Sequence, residues 1–202
     1  MTIEKGKSWG EPGALPADGI IVATDADARR ALEAARHAHR AFPVLGLLGG
    51  DLCRTVGGTG DEARLRGPDA TTFTVDVGEA LIDGRLHLFV AHLVARRALW
   101  RECFVAMNAQ WLGPWNLGPR AHPNDGLLDT YDANLTWADL PKVRARLPLG
   151  AHLPHPRIAQ RRSSAMQVEF PVPRKVWLDG EPAGEGRALA IRVHPDALSV
   201  VV

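Results

Sequence analysis

The sequence has few of the features that mark secreted or membrane-spanning chains. Only two cysteines, Cys53 and Cys103, occur among 202 residues; they cannot form a disulfide framework and fit a reducing compartment. The segment 1–13 (MTIEKGKSWGEPG) has no apolar core, so it predicts no signal peptide. No apolar run approaches the roughly 20 residues that a membrane-spanning helix needs. We therefore expect a cytoplasmic protein.

The chain also lacks a strong charge of either sign. Its formal net charge is +1, which gives no electrostatic reason to expect a nucleic-acid partner or an anionic membrane. With 46% hydrophobic and 23% charged residues, the composition is that of a globular protein. The length allows one large domain, or one domain with a small appendage.

The first part of the chain predicts a leader followed by a small α/β unit. Residues 1–18 contain Gly, Pro and charge without periodicity, so we expect a flexible leader there. A strand, a helix and a second strand are predicted at 19–23, 28–41 and 44–48. Asp25 or Asp27 is expected to cap the helix. The segment 19–66 is therefore a truncated α/β (βαβ) segment, with parallel strands and a right-handed crossover.

The remainder, residues 67–202, predicts antiparallel β-structure. From Thr71 the apolar pattern has period two, with a hairpin turn at Asp83-Gly84. A short helix is predicted at 137–147. Four late strands are predicted at 164–170, 174–178, 188–193 and 198–202. The fold class is therefore α+β, mainly β: an antiparallel two-sheet β-sandwich domain preceded by the short βαβ segment.

Chemical groups concentrate in two stretches, Met107–Asp129 and Leu178–Glu181, which we expect to meet in space. The turn PNDGLLD at 123–129 is explained by Asx side chains that satisfy backbone groups, or by an oxygen-ligand site for Mg²⁺ or Ca²⁺. The segment LDGE at 178–181 is explained by a hairpin turn, or by a pair of carboxylates for acid–base chemistry.

The other candidate groups favour structural roles. The spacing of His122, His152 and His155 matches no zinc site, and no cysteine lies nearby, so loop or surface histidines are expected. Tryptophans of this region are expected at the edge or in the core of the β-domain, namely Trp111, Trp115 and Trp137. Gly49-Gly50-Asp51 is not a P-loop, because no GK[ST] follows it.

Taken in order, several motifs together resemble one family. They are NAQWLGPWNLGPRAHPNDGLLD, GAHLPHP, VWLDGEP and the last strand IRVHPDALSVVV. The chain is similar in these to the C-terminal domain of the diacylglycerol kinase and sphingosine kinase-like lipid kinases, in particular the bacterial soluble type. The resemblance covers 71–202 well and is weaker over 19–58. It implies transfer of the ATP γ-phosphoryl group to a lipid hydroxyl with Mg²⁺.

The resemblance implies roles for single residues. Asp179 would lie where the general base of the family acts, with Glu181 as its acidic companion. Asp125 would match the aspartate of a structural Mg²⁺ site, and the backbone carbonyls of His122 and Leu127 would be co-ligands.

The nucleotide loops depart from the family pattern. The family's Gly-Gly-Asp-Gly-Thr loop corresponds to residues 23–27 (ATDAD), where Asp25 keeps the place of the aspartate and the glycines are gone. The later Pro-Leu-Gly-Thr-x-Asn-Asp loop is shortened to residues 49–54 (GGDLCR), which keep Asp51. Glycine lets the backbone approach a phosphate closely. The resemblance thus places Asp25 and Asp51 at the cofactor site, but with an impaired loop.

Two functional hypotheses remain from the sequence. The first is a diacylglycerol kinase-like lipid kinase that uses ATP and Mg²⁺, with impaired or lost ATP binding. The second is a catalytically inactive homologue that binds a lipid, another amphiphile or a protein. Peripheral membrane contact, a homodimer, and a partner chain that supplies a nucleotide domain are the associated expectations.

Overall fold

Long antiparallel strands dominate the structure, a computed structural model that describes residues 9–202. The strands are β1 Glu11–Pro12, β2 Ile20–Val22, β3 Leu45–Leu47, β4 Thr71–Ile82, β5 Arg85–Phe89, β6 His92–Arg97, β7 Glu102–Met107, β8 Leu128–Asn134, β9 Ile158–Ser163, β10 Ala165–Leu178 and β11 Glu181–Val201. The helices are α1 Asp25–His37, α2 Gly50–Thr55, α3 Glu62–Leu65 and α4 Asp139–Arg146, followed by a 3₁₀ turn at Leu147–Leu149. Among the described residues, no helix combines the length and the apolar character needed to cross a membrane.

The strands form one hydrogen-bonded network. The main order is β1-β4-β11-β10-β6-β7-β8-β9, all antiparallel, with β5 on β4. The mainly antiparallel β-architecture predicted from the sequence is thus confirmed, although the predicted two sheets are joined into one 11-stranded sheet. Buried side chains from seven strands, among them Phe104, Phe170 and Leu189, meet in one apolar cluster. The sheet therefore curves around a shared core.

The predicted βαβ unit is present. Strands β2 and β3 pair in parallel, and α1 lies between them in the chain. Its N-cap is Thr24, whose hydroxyl oxygen accepts a hydrogen bond from the N–H of Asp27 at 3.1 Å. The prediction of Asp25 or Asp27 as the cap was wrong, because both aspartates already belong to the first helical turn.

The βαβ unit packs on the β-rich part, as its small size requires. Strand β3 pairs with β11 in parallel, with Leu45 opposite Val200. Leu32 of α1 shares one buried cluster with Leu45, Val75 and Leu198. The residues on either side of position 66 therefore contribute to one sheet and one core.

The predicted flexible leader is wrong for residues 9–18, while residues 1–8 lie outside the described part. Strand β1 pairs with β4, where Glu11 faces Thr72. The N–H of Leu15 donates to the carbonyl of Leu65 at 2.7 Å, and the Leu15 side chain is 4% exposed. The few apolar residues of this segment show no periodicity, yet Leu15 packs in a buried cluster with Leu65 of α3.

The four predicted late strands are two long ones, β10 and β11. Register shifts interrupt the pairing between Glu169 and Arg174, and between His194 and Leu198. These interruptions contain Pro171, Pro173 and Pro195. A proline lacks the N–H that ladder pairing needs, so it is tolerated where a strand is irregular. The prolines thus mark irregularities inside continuous strands rather than the predicted turns.

Two hairpin turns have the predicted Asp-Gly sequence. At Asp83-Gly84, φ is 46° and 78°, and at Asp179-Gly180 it is 50° and 85°. Two consecutive positive φ values are the signature of a type I′ turn, which matches the twist of antiparallel strands. The second of these turns joins β10 to β11 and fixes the position of Asp179.

We expect Leu15→Ala to lower the free energy of unfolding by about 2–4 kcal/mol, because it removes a buried leucine from a packed cluster. The matched control is Leu149→Ala at an 80% exposed position, which should change stability by less than about 0.5 kcal/mol. Urea unfolding curves measure both values. Equal, small effects would show that residues 9–18 are not packed against the fold.

Candidate functional site

The segment Val90–His92, which links β5 to β6, is held by the carboxylate of Asp179. Oδ2 of Asp179 accepts from the N–H of Val90 at 2.9 Å, and Oδ1 accepts from the N–H groups of Ala91 at 2.8 Å and His92 at 3.1 Å. The N–H of Asp179 in turn donates to the carbonyl of His92 at 3.0 Å. Asp179 is buried, and both of its oxygens are used to position this segment.

The same segment receives the start of the stretch 107–129. The side-chain amide of Asn108 donates to the carbonyl of Val90 at 2.8 Å and to that of Asp76 at 2.9 Å. The N–H groups of Asn108 and Ala109 donate to the carbonyl of Ala91. The two chemically rich stretches therefore meet, as predicted, and they do so through Val90–His92.

Asp25 closes the N-terminus of α2. Its Oδ2 accepts from the N–H of Asp51 at 2.5 Å, and its Oδ1 accepts from the N–H of Leu52 at 3.1 Å. Gly50 has φ of +96°, and a Cβ there would lie 2.4 Å from Oδ1 of Asp25. Glycine is thus required at position 50, where the backbone approaches the chain's own carboxylate.

Asp51 and His92 form the polar centre of the site. Nε2 of His92 lies 3.0 Å from Oδ2 of Asp51, and the Asp51 carboxylate also accepts from the N–H of Gly113 at 2.9 Å. Donor atoms of Asp25, Asp51 and His92 all lie within 4.8 Å of one another, and no other group of this kind occurs among residues 9–202. Carboxylate oxygen and imidazole nitrogen are common ligands of divalent metals, so these three residues are the candidates for holding one.

Burial and neighbouring charges shift the pKa values of the ionisable groups in this centre. Burial, and next the nearby Asp179, raise the pKa of Asp25 to about 7. Burial also raises the pKa of Asp179. Burial opposes the charge on His92, but Asp51 and the other carboxylates outweigh it and raise the pKa of His92. Burial likewise opposes the charge on Asp51, but His92 and the Gly113 N–H lower its pKa. Asp51 and His92 thus form an ion pair beside two buried carboxyl groups whose pKa values are raised.

Glu181 lies two residues from Asp179 but faces a different group. Its carboxylate forms ion pairs with Arg29, at 2.5 Å, and with Arg30 on α1. Its pKa is lowered, chiefly by the hydrogen bond from Arg30. The side chain that the sequence suggested as an acidic companion of Asp179 therefore joins the β10–β11 turn to α1.

Asp125 also has partners within the chain. Its Oδ2 pairs with the guanidinium of Arg162, and its Oδ1 accepts from the N–H of Leu127 at 3.0 Å. Nδ1 of His122 accepts from the N–H of Asn124 at 3.2 Å. Both Asp125 oxygens thus have partners within the chain, and the Mg²⁺ site implied for Asp125, His122 and Leu127 remains a prediction.

An apolar cavity of about 360 Å³ lies between the sheet and α4. Strands β7 and β8 provide one wall, and Leu140 and Val143 of α4 provide another. Aromatic residues complete the lining, namely Trp100, Trp115, Tyr131 and Trp137. His152 also lines it and is only 3% exposed. It lies in a connecting segment, so of the two predicted positions, loop and surface, the loop is the one observed.

A tight turn at Leu112–Trp115 connects the cavity to the polar centre. Leu112 and Trp115 exchange backbone hydrogen bonds of 2.8 and 3.1 Å. Gly113 donates to Asp51 on one side, and Trp115 lines the cavity two residues later. The Arg54 guanidinium lies 3.4 Å from the ring centre of Trp111 and holds this turn against α2.

Sequence reasoning missed His92 and Asn108 as parts of the site. His92 is flanked by Ala91 and Leu93 in an apolar run, which indicated a strand residue with no special role. Its partner Asp51 lies 41 residues away, so no local spacing could reveal the pair.

We expect the free energy of unfolding to fall as the pH rises from about 4 to 7, because folded Asp25 keeps its proton to about pH 7 whereas the unfolded chain releases it near 3.8. Asp25→Asn should remove about 2 kcal/mol of this fall between pH values of roughly 5 and 7. The matched control Asp27→Asn should leave the slope in this window unchanged, because the pKa of exposed Asp27 is lowered. Urea titrations at several pH values measure the slopes, and equal slopes for all three proteins would contradict the assignment.

Comparison with known proteins identifies the fold and the family. The chain matches a candidate diacylglycerol kinase from Bacillus anthracis str. Sterne with a TM-score of 0.67 and 15% identity, over 91% of this chain and 77% of that one. A second such structure gives a TM-score of 0.57 and 14% identity over 79% and 69%. A diacylglycerol kinase from the same organism gives 0.54 and 16% over 79% and 66%. At these identities the likeness shows the shared fold.

A comparison with curated proteins gives no match. Residues 81–202 match the family described as the YegS C-terminal NAD kinase beta sandwich-like domain, which is more than half of the chain. The chain therefore belongs to this family.

Proposed function

We propose that the chain binds the apolar part of an amphiphile, such as a lipid, in the cavity beside α4, and that its own nucleotide loops do not hold ATP. The observation that carries this proposal is the cavity itself, with a volume of about 360 Å³ and a lining formed almost entirely by apolar and aromatic side chains. Pockets of a few hundred Å³ with this lining are typical of small-molecule sites.

The turn that contains Gly113 and Trp115 suggests where the polar head group of the amphiphile would lie. Trp115 lines the cavity, and Gly113 contacts Asp51. Two residues span at most about 7 Å of backbone. A head group at this end of the cavity would therefore lie near the Asp51–His92 pair, whose charges suit hydroxyl or other hydrogen-bonding groups.

The closed nucleotide loop supports the second half of the proposal. The amides of Asp51 and Leu52 at the start of α2 already donate to Asp25, whereas an anion site needs free N–H groups. At pH values above about 7 that carboxyl is charged. A phosphate charge about 4 Å away would then be repelled by about 4 kcal/mol at an effective dielectric of about 20.

An apolar rim at the cavity suggests how the amphiphile arrives. Leu99 and Trp137 line the cavity and are 74% and 59% exposed, and Arg144 stands beside them in the lining. Exposed apolar side chains next to a cation match the boundary between acyl chains and anionic head groups. We include peripheral contact with an anionic bilayer in the proposal on this basis.

Phosphoryl transfer is the second candidate, because the fold brings the ionisable side chains of Asp25, Asp51, His92 and Asp179 together. Under this candidate the chain must bind MgATP, alone or with a partner chain that provides a nucleotide domain. Asp179 as a base and Glu181 as its companion remain predictions, since Asp179 holds three backbone N–H groups and Glu181 pairs with α1.

We expect millimolar MgATP to leave the melting temperature of the isolated chain unchanged. A ligand at 100 times its dissociation constant would stabilise the fold by about 2.7 kcal/mol, which corresponds to roughly 5–10 °C for a chain of this size. Differential scanning fluorimetry measures the shift, with magnesium alone as the control. A shift of several degrees would overturn the second half of the proposal and favour the phosphotransferase.

We expect Ala133→Phe to weaken binding of a fluorescent long-chain fatty acid by at least about tenfold, because the ring would fill space beside Tyr131 in the cavity. The matched control is Ala159→Phe, which places the same ring at an exposed position on the neighbouring strand β9. Fluorescence titration measures affinity, and circular dichroism checks that both variants fold. Equal affinity of both variants and the wild type would contradict the proposed cavity.

A further inference from the structure

One positive charge stands in the wall of the apolar cavity. Leu140, Val143 and Arg144 of α4, and Leu147 directly after the helix, line the cavity. These positions follow the i, i+3, i+4, i+7 spacing of a single helix face, which apolar side chains normally occupy. Among the described residues of the lining there is no carboxylate, and Arg144 is the only arginine or lysine. The face of α4 that covers the cavity therefore carries a cation where a leucine would complete the apolar wall.

The guanidinium of Arg144 has no anionic partner within residues 9–202, with which it forms neither a hydrogen bond nor an ion pair. It stands over the ring of Trp115, another residue of the lining, with 5.8 Å between the guanidinium carbon and the ring centre. The acidic residue at the start of α4, Asp139, pairs instead with Arg157 at 3.5 Å. Because Arg144 is an exposed residue, a ligand at the mouth of the cavity can reach its charge.

A purely structural role does not require the cation to be at this position. The stem of an arginine can cover apolar surface while its charge stays in water, but α4 already presents Lys142 and Arg146 to solvent, and neither of them lines the cavity. Arg144 differs from both, because it takes a place on the apolar face. A guest of opposite charge would provide its partner in the bound state, which favours that guest over an uncharged one of the same length.

Arg144 lies beside the turn near which the head group of the amphiphile is proposed. Gly113 of this turn donates to Asp51, and the Asp51 carboxylate is paired with His92 at 3.0 Å. The charge of Asp51 is thus already matched within the chain, whereas that of Arg144 is not. An anionic group therefore has its place beside Arg144, and hydroxyl groups of the same head group would face Asp51 and His92.

We infer that the guest of the cavity is an amphiphile with an anionic head group, a carboxylate or a phosphate ester, and that Arg144 forms an ion pair with this group. The inference rests on the proposed function, because it specifies the charge of the amphiphile that the cavity takes. It is separate from the contact with an anionic bilayer, since a charged guest binds in solution without any bilayer. Arg144 is a specificity-determining residue in this description.

The test compares ligands that share one chain and differ in the head group. Decanoic acid, decyl phosphate, decanol and decylammonium are titrated below their micelle-forming concentrations, without vesicles, at about pH 8, where both acids are ionised. We expect at least one anion to bind about fivefold more tightly than decanol, and decylammonium to bind more weakly than decanol. Isothermal titration calorimetry measures the affinities, and the carboxylate and phosphate arms identify which anion the site takes.

Three variants at exposed positions of α4 assign the preference to one side chain. Arg144→Gln removes the charge, so it should abolish the preference for the anion and leave the affinity for decanol nearly unchanged. Arg144→Lys keeps a cation and should retain most of the preference. The matched control Arg146→Gln removes the same charge from a residue of α4 outside the lining and should leave the preference intact. Circular dichroism checks that all three variants fold.

The outcomes separate the inference from the proposed function. Equal affinity of the wild-type protein for the anions and decanol would overturn the inference and leave the cavity as a site for uncharged chains. A preference that survives in Arg144→Gln, or that is lost equally in Arg146→Gln, would also overturn it, because the preference would then reflect the overall charge or another residue. Binding of none of the four ligands, together with no response to Ala133→Phe, would overturn the proposed function itself.

Discussion

The carboxylate of Asp179 determines the geometry of the whole polar region. It collects three backbone N–H groups from Val90–His92, and it can do so because the type I′ turn at Asp179-Gly180 points it into the fold. Once that segment is fixed, His92 reaches Asp51, and Asp51 reaches Gly113. A hairpin turn, the start of α2 and the rim of the cavity are thereby tied together. A buried carboxylate with satisfied oxygens is well suited to this task, because the loss of any one partner would leave a buried polar group without a hydrogen bond and destabilise the fold.

Asp25 fixes the start of α2 in the first part of the chain, much as Asp179 fixes Val90–His92. A helix N-terminus attracts negative charge, and a bound anion would be the usual way to supply it. Here the chain supplies its own carboxylate, to the N–H groups of Asp51 and Leu52. The α/β segment is therefore stabilised internally, and the N–H groups of Asp51 and Leu52 at the start of α2 are occupied by a side chain. The apolar cavity beside α4 and the internal pairing of Asp25 together underlie the proposed function.

Local patterns predicted the parts of the fold whose rules are local. Period-two apolar residues predicted the antiparallel strands, and Asp83-Gly84 predicted a hairpin. The prolines at 171, 173 and 195 were misleading, because a proline ends a strand in some contexts and marks an irregularity inside one in others. Leu15 escaped notice because its burial depends on α3 rather than on its neighbours in sequence.

In the candidate site, too, features that depend on long-range contacts were not predicted from the sequence. Asp25, Asp51 and Asp179 were found through the resemblance to a family, and the structure brings them together. The partners of Glu181 and Asp125 could not be predicted, because Arg29, Arg30 and Arg162 reach them across the fold. His152 was equally hidden, since a histidine in a proline-rich loop has no local signal of burial. What the sequence lacks in each case is the identity of a long-range neighbour.

Strand β9, at one end of the main strand order, is exposed along most of its length and carries Arg161 and Arg162. An edge strand with free backbone groups invites pairing with a second chain, whereas adjacent cations repel an identical strand laid against it. The guanidinium of Arg162 is also committed to Asp125 on the neighbouring loop, which draws it across the edge. The cations at this end of the sheet therefore disfavour the addition of an identical strand at β9.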